Sequence, residues 1–244
     1  MMIRVTLALL IVLCIACSDK AAKNKGTADS TAISQSMADS LKEDSLAIAY
    51  GGAKADHYNY NIEVDAVPDS LMAFVPEGYE GLDTTSGDLN GDAYTDIIMV
   101  LMKKGEDEDI HANSPANPVK RPMLILLGQA DGSYKQVARN DNAVLCFYCG
   151  GSGHQENPFE QVVARNGFFS IEHSTGSRNE PVKHITTFRY SPSDSTWLLH
   201  RDGWDLMKMD EGSEFKKVKS IIKTAKDFGK IRFEDFDIYK EEAY

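Results

Sequence analysis

Positive charge is scarce in this chain. Its 26 lysines and arginines face 37 aspartates and glutamates, a net charge of −11, so no basic field would gather phosphates and a nucleic-acid partner is not expected. Long apolar runs are also missing. The longest covers residues 5–16, whereas a helix needs roughly 20 residues to cross a bilayer. With 42% hydrophobic and 26% charged residues, the composition is that of an ordinary soluble protein, which excludes a polytopic membrane protein and a wholly disordered chain. Catalytic signatures are absent as well. There is no serine-nucleophile elbow, phosphate loop, HExxH or Rossmann glycine pattern, which removes the enzyme classes most readable from sequence. Only four cysteines occur, two of them within the first 17 residues.

The first 17 residues read MMIRVTLALLIVLCIAC. A basic residue, a short apolar stretch and a small residue before a polar switch are the parts of an export signal. Ala16-Cys17 followed by Ser18-Asp19-Lys20 resembles a bacterial lipoprotein cleavage site, although Cys14 stands where Leu is usual. The resemblance implies cleavage after residue 16, diacylation of Cys17 and attachment to the inner or outer membrane of the cell envelope. The alternative is a plain signal peptide cut near Ala16. Lipid would have to supply the attachment, because an acidic protein is repelled by anionic headgroups. Cys146 and Cys149 then remain as an even pair in an oxidising compartment, where a disulfide is expected.

Residues 17–56 are rich in Ala, Ser, Lys and Asp, and no aromatic residue precedes Tyr50. Such a segment buries too little apolar surface to offset chain entropy and reads as a flexible tether, with a transient helix at 36–48. Residues 57–240 change character: short apolar or alternating runs are separated by Gly, Asn, Asp, Pro and Ser, the texture of antiparallel β structure. The runs 96–102 and 122–128 are nearly continuous and predict buried central strands. A strand at 133–139 follows Asp131-Gly132. Strands at 161–165 and 168–173 flank Asn166-Gly167, a strong two-residue turn. Strands at 182–190 and 196–200 flank the loop 191–195. Residues 215–226 read as a helix or a strand, and 230–233 as a closing strand. The expected fold is all-β: twisted antiparallel, blade-like sheets forming an incomplete propeller or a small sandwich.

Between the tether and these strands lies the stretch richest in chemistry, G-D-L-N-G-D-A-Y-T-D-I-I-M-V from Gly87. Asp88, Asn90, Asp92 and Asp96 place oxygen-bearing side chains at alternate positions with one gap, which the Tyr94 carbonyl can fill. Calcium takes six to eight oxygens at about 2.3–2.6 Å, and a tight loop can wrap this set around one ion. The alternative is a metal-free Asx-rich turn whose carboxylates bind backbone N–H groups. The stretch resembles the FG-GAP or VCBS repeat, a blade unit of integrin-α-type β-propellers. Leu126-Leu127-Gly128-Gln129-Ala130-Asp131-Gly132-Ser133-Tyr134 is similar to the hairpin downstream in the same repeat. The likeness covers residues 86–139 and implies a calcium loop leading into a buried strand. Ala93 stands where that family carries a glycine of positive φ, at a cost of about 1–2 kcal/mol. The insert 103–120, with Glu106-Asp107-Glu108-Asp109, reads as a solvated excursion or, alternatively, as a partner or second cation site.

Three further groups qualify for chemistry. Cys146-Phe147-Tyr148-Cys149 is a C-x-x-C with no helix after it, so a structural disulfide is expected over thiol redox activity or a partial metal site with His154. His173 and His184 fall on neighbouring strands, as buried hydrogen-bonded histidines or as metal ligands or a base. Trp197 and Trp204 fit core packing, with sugar stacking by Trp204 as the alternative. The resulting expectation is a non-enzymatic envelope lipoprotein whose calcium-loop β domain binds a protein or glycan. A hydrolase of envelope polymers on the same scaffold is the main rival, and a redox or metal-handling protein using Cys146 and Cys149 is another.

Overall fold

The near-continuous apolar runs become neighbouring central strands. In the computed structural model, residues 67–108, 114–151 and 157–240 are described. The chain divides into two units, Met1–Lys54 and Ala55–Tyr244, and the described residues all belong to the second. The export segment, Cys17, the tether, Asp109 and His154 therefore lie outside the described residues.

The first sheet is an antiparallel meander of β1 (Tyr79–Gly87), β2 (Asp96–Lys103), β3 (Met123–Gly128) and β4 (Tyr134–Asn140), in that order. Every residue of β2 but the last is buried, because both faces of the sheet are covered. Ile98, Val100, Met102, Met123 and Ile125 enter the main core. Ile97, Met99, Leu101, Leu124 and Leu126 pack with Leu71 in a second cluster on the opposite face, where a 3-10 turn at Asp69–Phe74 carries Leu71. Burial on both sides explains why these strands read as runs rather than as alternation.

The second sheet is a five-stranded meander: β5 (Phe159–Arg165), β6 (Phe168–Ser177), β7 (Glu180–Ser191), β8 (Thr196–Met209) and β9 (Phe215–Thr224). Asn166 and Gly167, at the β5–β6 turn, both have positive φ, 51° and 78°, as a two-residue hairpin turn of this kind requires. Phe169, Ile171, Phe188, Trp197 and Leu199 bring this sheet into the core shared with the first. The chain then makes a one-turn helix α1 (Ala225–Phe228), capped reciprocally by Thr224 and Asp227. Its last described segment returns to the core with Phe233, Phe236 and Ile238. Phe233 meets Phe169 and Phe188 edge-to-face at 5.4 Å. Asn140 donates from Nδ2 to the carbonyls of Phe233 and Phe236, and the Ile238 N–H donates to the Asn142 carbonyl. The architecture is all-β and antiparallel: two blade-like meanders around one core, without a closed barrel among the described residues.

Several expectations change. Residues 215–226 are neither wholly strand nor helix: β9 runs to Thr224, paired along β8, and α1 follows. Residues 230–233 form no strand, only an isolated bridge between Arg232 and Leu198. β8 continues nine residues past His200, to Met209, through Asp202-Gly203. It does so because Trp204 stacks on His184 at 4.6 Å and Asp202 is held by Thr186 and His184. Glu106 of the acidic insert is not solvated. It is buried against Arg121.

Candidate metal centre

The alternating carboxylates sit on the loop between β1 and β2, where Gly87 pairs with Asp96. Asp96, the first residue of β2, is fully buried and accepts the Leu89 N–H at 2.8 Å and the Gly128 N–H at 3.0 Å. Gly128 permits this approach, since a Cβ there would collide with the Thr95 carbonyl. Asp88 Oδ1 accepts the Gly91 N–H at 2.7 Å, and Asp92 Oδ1 accepts the Tyr94 N–H at 2.9 Å. Asn90 gives its Nδ2 to Asp92 and takes the Asp92 N–H on Oδ1. Ala93 holds the expected positive φ, 68°. The loop is fixed from beneath: Leu89 is fully buried, its carbonyl accepts Trp197 Nε1–H at 3.2 Å, and the Asp88 carbonyl accepts the Gly167 N–H at 3.1 Å.

The structure thus brings Asp88, Asp92 and Asp96 together, with one carboxylate oxygen of each within 4.8 Å of the others. Ligands on opposite sides of a calcium ion lie about 4.6–5.2 Å apart, so one ion fits among them, and hard carboxylate oxygens suit it. Asn90 Oδ1 accepts the Asp92 N–H at 3.0 Å and so ties the same loop together, and Tyr94 donates its N–H to Asp92 Oδ1 with its side chain partly exposed. Each carboxylate also has a backbone N–H, as a metal-free turn would need, yet a carboxylate offers about four acceptor sites. Burial pushes the Asp96 carboxyl above its ordinary value; Leu89 and Gly128 pull it back, and Asp92 and Asp88 add to the rise. A bound cation would relieve that crowding. Among the described residues this is the one cluster of three or more carboxylate, histidine or cysteine ligands with such spacing.

The other candidates turn inward. His173 and His184 face each other across β6 and β7 with ring centroids 6.2 Å apart. His184 Nε2 lies 2.6 Å from Asp202 Oδ1. His173 Nε2 accepts the Leu145 N–H at 3.2 Å, and burial, with His184 and Arg121 beside it, holds this imidazole well below its usual range. Trp204 is 5% exposed, which makes it core rather than a sugar platform. Cys146 and Cys149 form a disulfide with Cα atoms 5.1 Å apart. Glu160 and Glu172 share the Lys183 ammonium, at 3.7 and 3.0 Å, but Glu172 is buried.

Sequence reasoning missed the Glu106–Arg121 pair. Both side chains are fully buried; Arg121 Nε lies 3.0 Å from each Glu106 oxygen. Arg121 Nη1 donates to the Leu145 carbonyl and to Asn157 Oδ1, while Glu106 accepts the Phe147 N–H. The signal was faint: an arginine two residues before an apolar strand, 15 residues after Glu106. No family model and no curated protein matches the chain.

Proposed function

We propose that this protein is a non-enzymatic lipoprotein of the cell envelope. Cys17 carries the lipid, residues 17–56 act as tether, and the β domain, its first hairpin stiffened by calcium, presents a surface to a protein or glycan. The carboxylate oxygens of Asp88, Asp92 and Asp96, gathered within 4.8 Å on a loop pinned to the core, carry this reading. They stand where the FG-GAP-like pattern places ligands. Asn90 and the Tyr94 carbonyl complete the expected shell after local rearrangement. The Cys17 assignment is tested by the mass of envelope-extracted protein, which should lose the acyl increment in Cys17→Ser.

Calcium titration of the full chain tests the centre. With Kd near 10⁻⁴–10⁻³ M, about 10 mM calcium stabilises by about 1.4–2.7 kcal/mol, or about 3–10 °C in melting temperature. Asp92→Ala should show no such rise. Equal melting curves with calcium and with chelator, for both proteins, would remove the site. The pH dependence has a definite sign. Because the folded Asp96 pKa stands above 3.8, the metal-free loop is more stable with Asp96 protonated, and that gain is lost as pH rises through the raised value. Calcium requires the carboxylate, so its stabilisation should shrink as pH falls from neutrality through that raised value.

A further inference from the structure

One surface of the second sheet runs against the charge of the whole. Residues 215–226 hold five lysines and no acidic residue in a chain of net charge −11. Residues 215–224 of this stretch form β9, an edge strand that pairs with β8 alone among the described residues, and Lys226 lies on α1. Among the described residues, three of the six exposed large hydrophobic ones lie on β9: Phe215, Val218 and Ile222, 41%, 61% and 52% exposed. Asp210 and Asp205 answer Lys216 and Lys217, whereas Lys219 and Lys226 have no ion pair among the described residues. Alternate N–H and C=O groups of an edge strand point outward, an open template for another strand.

We infer that β9 takes an extended acidic peptide as a sixth strand, one whose acidic residues alternate with apolar ones. Register sets the pattern. Lys219, Ile221 and Lys223, opposite Leu206, Trp204 and Asp202, point to one face; Ser220 and Ile222, opposite Asp205 and Gly203, point to the other. A partner strand would therefore set carboxylates beside the lysines on one face and an apolar side chain beside Ile222 on the other. The same lysines repel β9 of a second copy, which guards the edge against self-pairing. A bilayer fits less well, because the strand's apolar side chains, Ile221 and Ile222, point to opposite faces and its edge amides need partners. This gives the proposed binding module a surface and rests on that reading, but not on calcium.

The test uses the full chain and a fluorescent peptide, acetyl-Thr-Glu-Val-Glu-Val-Glu-Thr-amide, followed by anisotropy. Saturable binding is expected, weaker by about tenfold in Lys219→Glu/Lys223→Glu and weaker in high salt. N-methylation of the peptide at alternate residues should abolish binding in one register and spare it in the other. Lys219→Glu alone replaces the double variant if that one melts lower. No binding, or binding indifferent to N-methylation in both registers, overturns strand addition. So does lysine-dependent capture by phosphatidylglycerol vesicles without peptide binding. The calcium titration and the peptide measurement can fail separately, so each reading is judged on its own.

Discussion

Ala93 keeps a φ of 68° in the carboxylate loop, a conformation that strains any residue bearing a Cβ. Ala93→Gly should stabilise the fold by about 0.5–1 kcal/mol, the relief of strain less the added entropy of the unfolded glycine. The gain is read from urea curves, and calcium affinity should stay within about twofold, because the strained φ is already present in the metal-free loop and its relief is common to both states. At Arg121 the expected change is larger and opposite. Arg121→Leu leaves the Glu106 carboxylate buried beside apolar groups, at about 3–5 kcal/mol; Glu106→Leu/Arg121→Leu should recover part of that loss, measured by urea unfolding. The two sites differ in how far sequence discloses them. Asp88, Asp92 and Asp96 are legible because ligand spacing along a tight loop is local. Glu106 and Arg121 are not, because nothing in an acidic run says which carboxylate meets an arginine 15 residues further on.

At the scale of elements, strands declared themselves where burial was two-sided or turn chemistry was strong. β2 and β3 followed from apolar runs, and the β5–β6 hairpin from Asn166-Gly167. β1 went unread, since Gly81, Asp83 and the Thr84-Thr85-Ser86 run give no alternation and the strand carries a bulge at Gly81/Asp83. The reach of β8 depends on Trp204 and Asp202 finding partners on β7, a long-range matter that local signals miss. The 146–149 turn is the element most open to chemical test. Its disulfide closes a loop of only four residues, so the chain-entropy model assigns it about 2 kcal/mol. Urea unfolding of the reduced protein and of Cys146→Ala/Cys149→Ala should show a loss of that size, with no change in calcium response.

For the molecule as a whole, the two sheets meet in one core that is completed by neither of them. Phe233, Phe236 and Ile238, all buried, fill it from the segment after α1. Burying three such side chains stabilises by roughly 5–9 kcal/mol, comparable with the whole margin of a typical domain. Truncation after Phe228 should therefore abolish the cooperative thermal transition and expose apolar surface to a reporter dye; a sharp transition near the parental temperature would contradict this account of the core. Short apolar and alternating runs between turn residues foretold the antiparallel class, but the role of this segment was hidden, because short 3-10 turns carry no periodic signature. Its late place in the chain has a consequence for biogenesis. Until the ribosome has delivered Ile238 the nascent protein has no sealed interior, so the domain can lock cooperatively only once that segment has emerged.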